Sequence, residues 1–196
     1  MKTFWNERYA AEEYAYGVEP NMFFKNWIDG RSPGTILFPG EGEGRNAVYA
    51  ARLGWEVYAF DYSESGQKKA LALAQKQGVV IHYEVVDAES FSTDRTFDAI
   101  VLIYAHFPPP VRSALHPRLA DMLKQGGLLV LEGYNKQQLK NNTGGPQHES
   151  LLFDEVMLRM DFERLEVLSL ENATLHVEEG LYHQGISDVI RFVAKK

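Results

Sequence analysis

The chain has 196 residues, of which 45% are hydrophobic and 24% charged, with a net charge of −7 and no cysteine. That is enough apolar material for one sizeable core, and it excludes disulfides, thiolate catalysis and cysteine-held metals. The acidic balance, with no Lys/Arg run longer than two, argues against a nucleic-acid partner held by phosphate neutralisation.

The opening MKTFWNERYAAEEY lacks the continuous apolar stretch of a signal peptide, and no segment approaches the roughly 18 apolar residues of a membrane span. A soluble, cytoplasmic protein without a membrane partner is the expectation. Residues 3 to 14 place Phe4, Tyr9 and Ala10 or Ala11 at helical spacing, and YGVEPNMFFKNWIDG reads as a turn and a second short helix ending near Gly30. Thr35 to Phe38 reads as a short buried strand, Gly44 to about Leu53 as a helix, and WEVYAF as a second strand. Ser63 to Gln77 carries Ala70, Leu71, Leu73 and Ala74 on one helical face, with Gly78 as its stop. VVIHYEVV is the third strand.

FDAIVLI, residues 97 to 103, is almost wholly apolar, as a strand covered on both faces should be. Val111, Leu115, Leu119, Met122 and Leu123 follow as the buried stripe of a helix, and GGLLVLEGY is the fifth strand. Beyond residue 135 the polar NKQQLKNNTGGPQHES leads to a helix over Leu151 to Met160. Two strand-like runs end the chain, Arg164 to Glu178 and Gly185 to Ala194. They lie too close for a helical crossover and should pair as an antiparallel hairpin. The pattern predicts an α/β fold: a doubly wound seven-stranded sheet, five strands parallel and a C-terminal antiparallel hairpin, with helices on both faces. One domain spans 1–196, with 1–30 as a helical cap over the site and 135–150 as a candidate lid.

In such a sheet, ligands bind beyond the carboxyl ends of the strands where strand order reverses. The stretch ILFPGEGEGRN lies at the end of the first strand, and Gly40, Gly42 and Gly44 allow a tight turn and close approach to a ligand. The spacing is G-x-G-x-G rather than the dinucleotide G-x-G-x-x-G. Glu41 and Glu43 in the bend favour a cationic nucleoside over a pyrophosphate, and S-adenosylmethionine, with its sulfonium and ammonium, fits. Asp61 closes the second strand, where it can accept hydrogen bonds from ribose hydroxyls or cap the next helix. Asp87 is similarly placed for an adenine edge, or is a surface turn acid.

ILFPGEGEGRNAVYAARLGWEVYAFDYSESGQKKA, together with FDAIVLIYAHFP, LLVLEGY, NNTGGP and the terminal hairpin, resembles the class I S-adenosylmethionine-dependent methyltransferases, especially the small tellurite-resistance-type and thiopurine-type members. The resemblance covers nearly the whole chain. It implies that Gly40, Gly42 and Gly44 form the cofactor loop and that Asp61 holds the ribose. Tyr62 flanks the adenine, Asp87 and Ala88 meet its amino edge, and Ile103 and Tyr104 line the methionine portion. The family's usual acid two residues before the first glycine is replaced by Phe38; Glu41 is the candidate substitute.

A sulfonium methyl is already activated, so such an enzyme chiefly positions a nucleophile, and a base helps where the acceptor carries a proton. His106 and Tyr104 are the catalytic candidates, with Tyr134 behind them. Residues 135 to 150 could close over a substrate on a hinge at Gly144 and Gly145. The aromatic segment Phe4, Trp5, Tyr9, Tyr14, Tyr16, Phe23, Phe24 and Trp27 could cover the opposite side, with Arg8 near the methionine carboxylate; core packing explains many of these rings equally well. His176 and His183, near Glu178 and Glu179, match no metal-ligand spacing and read as surface or edge residues. The expected partner is a small-molecule methyl acceptor, with a monomer or homodimer both open. The alternatives are a non-catalytic protein that keeps the fold, and a nicotinamide-dependent oxidoreductase.

Overall fold

The computed structural model describes residues 2–196, with side chains from residue 5 onward, so Phe4 lies outside the described side chains. Seven strands form one sheet: β1 (Thr35–Pro39), β2 (Glu56–Asp61), β3 (His82–Val85), β4 (Phe97–Ile103), β5 (Leu123–Tyr134), β6 (Glu166–Glu179) and β7 (His183–Lys195). Their order is β3-β2-β1-β4-β5-β7-β6. The first five pair in parallel, and β7 runs antiparallel to both β5 and β6. The doubly wound sheet with its terminal hairpin is therefore as the sequence pattern implies.

Alternation along the strands explains why both faces are covered. In β1, Leu37 enters one hydrophobic cluster with Phe60, Ile100, Leu102 and Leu131. Its neighbours Ile36 and Phe38 enter the other, with Val57, Ala59, Val101 and Val130. Each central strand thus buries both sets of side chains, which is why the sequence shows unbroken apolar runs there. Helices α3 (Arg45–Arg52), α4 (Glu64–Lys76) and α5 (Pro109–Met122) make three of the crossovers, and residues 86–96 join β3 to β4 without a helix.

Four element boundaries differ from the sequence pattern. Helix α1 (Lys2–Tyr9) stops well short of residue 14. Tertiary bonds hold the next residues away from helical geometry: Ala15 N donates to Glu43 Oε2 at 2.8 Å, and the Tyr14 hydroxyl to Lys69 O at 3.1 Å. The expected helix over 151 to 160 is α6 (Glu155–Asp161), because Asp154 caps it, accepting from Met157 N at 2.8 Å; a 3-10 turn over Glu149–Leu151 precedes it. Strand β3 is confined to His82–Val85, whereas β5 begins at Leu123, directly after α5. The short α2 (Met22–Ile28) packs Phe24 edge-on to Phe38, their ring centres 5.4 Å apart.

Candidate functional site

Strand order reverses between β1 and β4, so the crevice for a ligand opens where their carboxyl ends part. One wall is the loop 40–44. Gly44 has φ +87, and a Cβ there would lie 2.5 Å from Ala70 Cβ, so α3 and α4 meet at a distance only glycine permits. Gly42, at φ +65, donates its N–H to Asp61 Oδ2 at 3.2 Å and accepts from the Tyr83 hydroxyl at 2.7 Å.

The two acids of the loop do not stand free in the crevice, which corrects the reading of a bend studded with available carboxylates. Glu41 Oε1 accepts from Asn46 N at 3.0 Å and Ala47 N at 2.8 Å, donors of the first turn of α3. Burial pushes its carboxyl up to about 7 despite those two bonds and the nearby Arg45. Glu43 is buried and paired with Lys69 Nζ at 2.7 Å. Phe38, where the family's acid usually stands, is a core side chain.

Asp61 lies at the end of β2 with Oδ1 on Ser63 N at 2.9 Å and Oδ2 on Gly42 N. Ser63, not Asp61, caps α4, through Oγ on Gly66 N at 3.1 Å. Burial raises Asp61 to about 6. Tyr62 follows it, and Asp87 and Ala88 follow β3 alongside; Val86 N bonds Asp61 O at 3.0 Å, tying these strand ends together. Asp87 is exposed and Ala88 buried. Helix α1 covers this end: Asn6 Oδ1 accepts from the Ser63 hydroxyl at 2.7 Å, and Tyr9 is buried over Gly42.

Ile103 and Tyr104 end β4 on the other wall. Tyr104, at φ +52, is the one non-glycine residue with positive φ among the described residues, a conformation that costs about 1–3 kcal/mol and concentrates at functional sites. His106, two residues on, has no nitrogen left for catalysis. Its Nδ1 lies 2.7 Å from Leu151 O and its Nε2 accepts from Tyr134 N at 3.1 Å, so the ring is a neutral, half-buried link. Burial holds its imidazole down at about 4. The expectation of His106 as a base is corrected on this ground.

The residue that sequence spacing missed is His183. It is buried, not at the surface, with its ring centre 4.3 Å from that of Tyr16, 4.4 Å from Tyr104 and 5.4 Å from Tyr134. Glu179 Oε2 is 3.6 Å from its Nδ1 and 2.7 Å from Arg45 Nη2. Burial lowers the His183 imidazole, with Glu179 opposing. The Tyr104 hydroxyl is buried without a hydrogen-bond partner in the protein, and the buried Tyr134 hydroxyl lies beside Ser187. Arg8 Nη1 reaches the Tyr16 hydroxyl at 3.2 Å, which sets Arg8 beside this aromatic group. His176 is exposed, as an edge residue. Among the described residues, no group of three or more His, Asp or Glu side chains could hold a metal ion.

Loop 135–150 rests against this group rather than standing away from it. Gly145 packs on the Tyr134 ring and Gly144 on the Tyr182 backbone, held by Gln138 Nε2 on Gly144 O at 2.9 Å.

Residues 36–127 match the family model described as "Methyltransferase domain", a span from β1 into β5 that includes the glycine loop and Asp61. The whole chain superposes on a structure concerned with conversion of a disulfide bond into a thioacetal group during echinomycin biosynthesis. The TM-score is 0.82 at 18% identity, covering 100% of this chain and 93% of that one. TehB from Haemophilus influenzae matches with a TM-score of 0.74 at 16% identity, over 100% of this chain and 66% of that one. The N-methyltransferase NodS from Bradyrhizobium japonicum WM9, in complex with S-adenosyl-l-homocysteine, matches with a TM-score of 0.74 at 14% identity, over 100% and 97%. At these identities the likeness is one of fold. No curated protein sequence matches the chain. The chain has the Rossmann-like fold of these structures, and residues 36–127 match a methyltransferase family model.

Proposed function

We propose that the protein transfers the methyl group of S-adenosylmethionine to a small-molecule acceptor. One observation carries the choice of cofactor. In a nucleotide site the first turn of the helix after the glycine loop offers its N–H groups to a pyrophosphate. Here Glu41 Oε1 already takes those of Asn46 and Ala47. A diphosphate would have to displace a carboxyl of the chain itself, whereas a nucleoside carrying positive charge and no phosphate has no such competitor. The occupied helix turn, rather than the charge of the loop, thus disfavours a nicotinamide dinucleotide.

The residues fit the group. Asp61 accepts backbone N–H groups from Gly42, Tyr62 and Ser63 and keeps a lone pair for ribose hydroxyls. Tyr62, Asp87 and Ala88 would border the base, Gly40, Gly42 and Gly44 would form the cofactor loop, and Ile103 and Tyr104 would line the methionine portion. When bound, S-adenosylmethionine supplies an activated methyl on a sulfonium. The chain's part is to hold an acceptor in line with it and exclude water, and ordered positioning can lower a barrier by about 7–11 kcal/mol. The motifs around residues 36–70 and the terminal hairpin support placing the protein with the small tellurite-resistance-type and thiopurine-type enzymes.

The test is thermal unfolding with S-adenosylmethionine, S-adenosylhomocysteine or NAD. A ligand at about 100 times its dissociation constant stabilises by ~2.7 kcal/mol. Stabilisation by both sulfur compounds and not by NAD is expected; the reverse pattern sinks the proposal. Labelled methyl transfer to thiol, amine, oxyanion and chalcogen acceptors then separates an enzyme from a non-catalytic binder.

A further inference from the structure

We infer that His183 is the proton acceptor of this reaction, and that the acceptor is a neutral nucleophile which must lose a proton as it is methylated, such as a thiol or a phenol, rather than an oxyanion. The inference rests on the proposed function and adds a residue that lies 79 positions beyond Tyr104 in sequence. Three observations carry it. His183 is buried, yet no hydrogen bond within the protein satisfies its Nδ1, which faces Glu179 Oε2 at 3.6 Å. That separation is too long for a hydrogen bond in the resting site, but it places a carboxylate where an imidazolium N–H would need one. Nε2 is then the nitrogen left to take a proton. Second, Tyr104 and Tyr134 stand over the ring; the Tyr134 hydroxyl has Ser187 beside it, whereas the Tyr104 hydroxyl is left unpartnered, and buried donors without partners are uncommon. A free phenolic donor suits an atom that gains negative charge as its proton leaves. Third, Tyr104 is the strained residue at the end of β4, beside the place expected for the reactive end of the cofactor.

The charged and titratable groups around His183 come from every element packed on it. Glu179 belongs to β6, Arg45 to α3, Arg8 to α1, Tyr134 to β5, while Tyr16 and Tyr104 are on flanking loops. Arg45 is already paired with Glu179, so the pair orients the imidazole without adding net charge. In the step, the acceptor sulfur or oxygen forms a bond to the methyl carbon as the carbon–sulfonium bond breaks. The electron pair of that bond stays on the departing sulfur, and the acceptor's proton moves to His183 Nε2.

The experiment compares benzyl mercaptan, which is mostly protonated at neutral pH, with 4-nitrothiophenol, which is already ionised. In His183→Gln, transfer to benzyl mercaptan should fall by about 10²–10⁴-fold, the range for loss of a general base. Transfer to 4-nitrothiophenol should change less than tenfold, because that acceptor needs no base. Stabilisation by S-adenosylhomocysteine should persist, showing that the variant folds and keeps the cofactor site. Equal losses on both thiols mean that His183 only shapes the pocket, and the inference fails. It also fails if the wild-type protein binds S-adenosylhomocysteine but methylates neither thiol, an outcome that leaves the proposed cofactor intact. Absence of any stabilisation by the sulfur compounds overturns the proposed function itself, and this inference with it.

Discussion

At the scale of single residues, Glu41 and Asp61 are carboxyls that burial holds above their ordinary range, at about 7 and about 6. The proposed cationic cofactor would favour their ionised forms, so its binding would release protons. Affinity for S-adenosylmethionine should therefore weaken as pH falls from 8 to 5, by up to roughly tenfold per pH unit for each coupled group below its pKa. Glu41→Gln should remove the upper inflection, and Asp61→Asn should weaken binding by about 1.5–3 kcal/mol at pH 8. Calorimetric titrations across this range check it; a flat pH profile for the unmodified protein contradicts it. The glycines and Asp61 were legible because their roles depend on local spacing at strand ends. The use made of Glu41 was not, since its partners are backbone N–H groups that any sequence would present. His106 and His183 show the same limit in opposite directions. Position near the cofactor rim favoured His106, and only the contacts of Leu151 and Tyr134 reveal that both its nitrogens are taken.

At the scale of elements, α3 and α4 touch where Gly44 faces Ala70. Gly44→Ala would force an L side chain into a left-handed backbone, about 1–2 kcal/mol, and drive its Cβ to 2.5 Å from Ala70 Cβ. The expected loss is ~3 kcal/mol in urea unfolding. Adding Ala70→Gly should return only part of it, since Ala70 Cα remains 2.8 Å from the new atom and the backbone strain persists. Strict additivity of the two changes would refute the contact. Strands and crossovers were readable because doubly buried strands demand apolar runs, as in residues 97 to 103, and a short connection forces an antiparallel pair. Boundaries were harder where distant groups decide them. Helix α1 ends because Glu43 and Lys69, far along the chain, bind residues 14 and 15.

At the scale of the whole molecule, a line of buried polar groups joins the cap, the glycine loop and the hairpin. Asn21 Nδ2 donates to Glu132 Oε1 at 2.6 Å and to Glu179 Oε1 at 3.2 Å, Arg191 Nε holds Glu132 Oε2 at 2.6 Å, and Arg45 holds Glu179 at 2.7 Å. Burial alone would raise the Glu179 carboxyl, but His183 and Arg45 hold it down at about 2 against an ordinary 4.5. An acid whose folded pKa is depressed contributes stability that is fully present above its unfolded pKa and disappears as pH falls through the folded one. The depression corresponds to about 3 kcal/mol, and breaking a buried pair from one side typically costs about 3–5. Glu179→Gln should accordingly destabilise the protein by ~3 kcal/mol at pH 7. The gap between variant and wild type should stay constant down to about pH 4.5 and close by about pH 2. Urea midpoints measured at each pH give the result directly. A gap that persists unchanged at pH 2 would show that Glu179 acts through its shape and neutral hydrogen bonds, and that the ion pair with Arg45 does not hold the hairpin against the glycine loop.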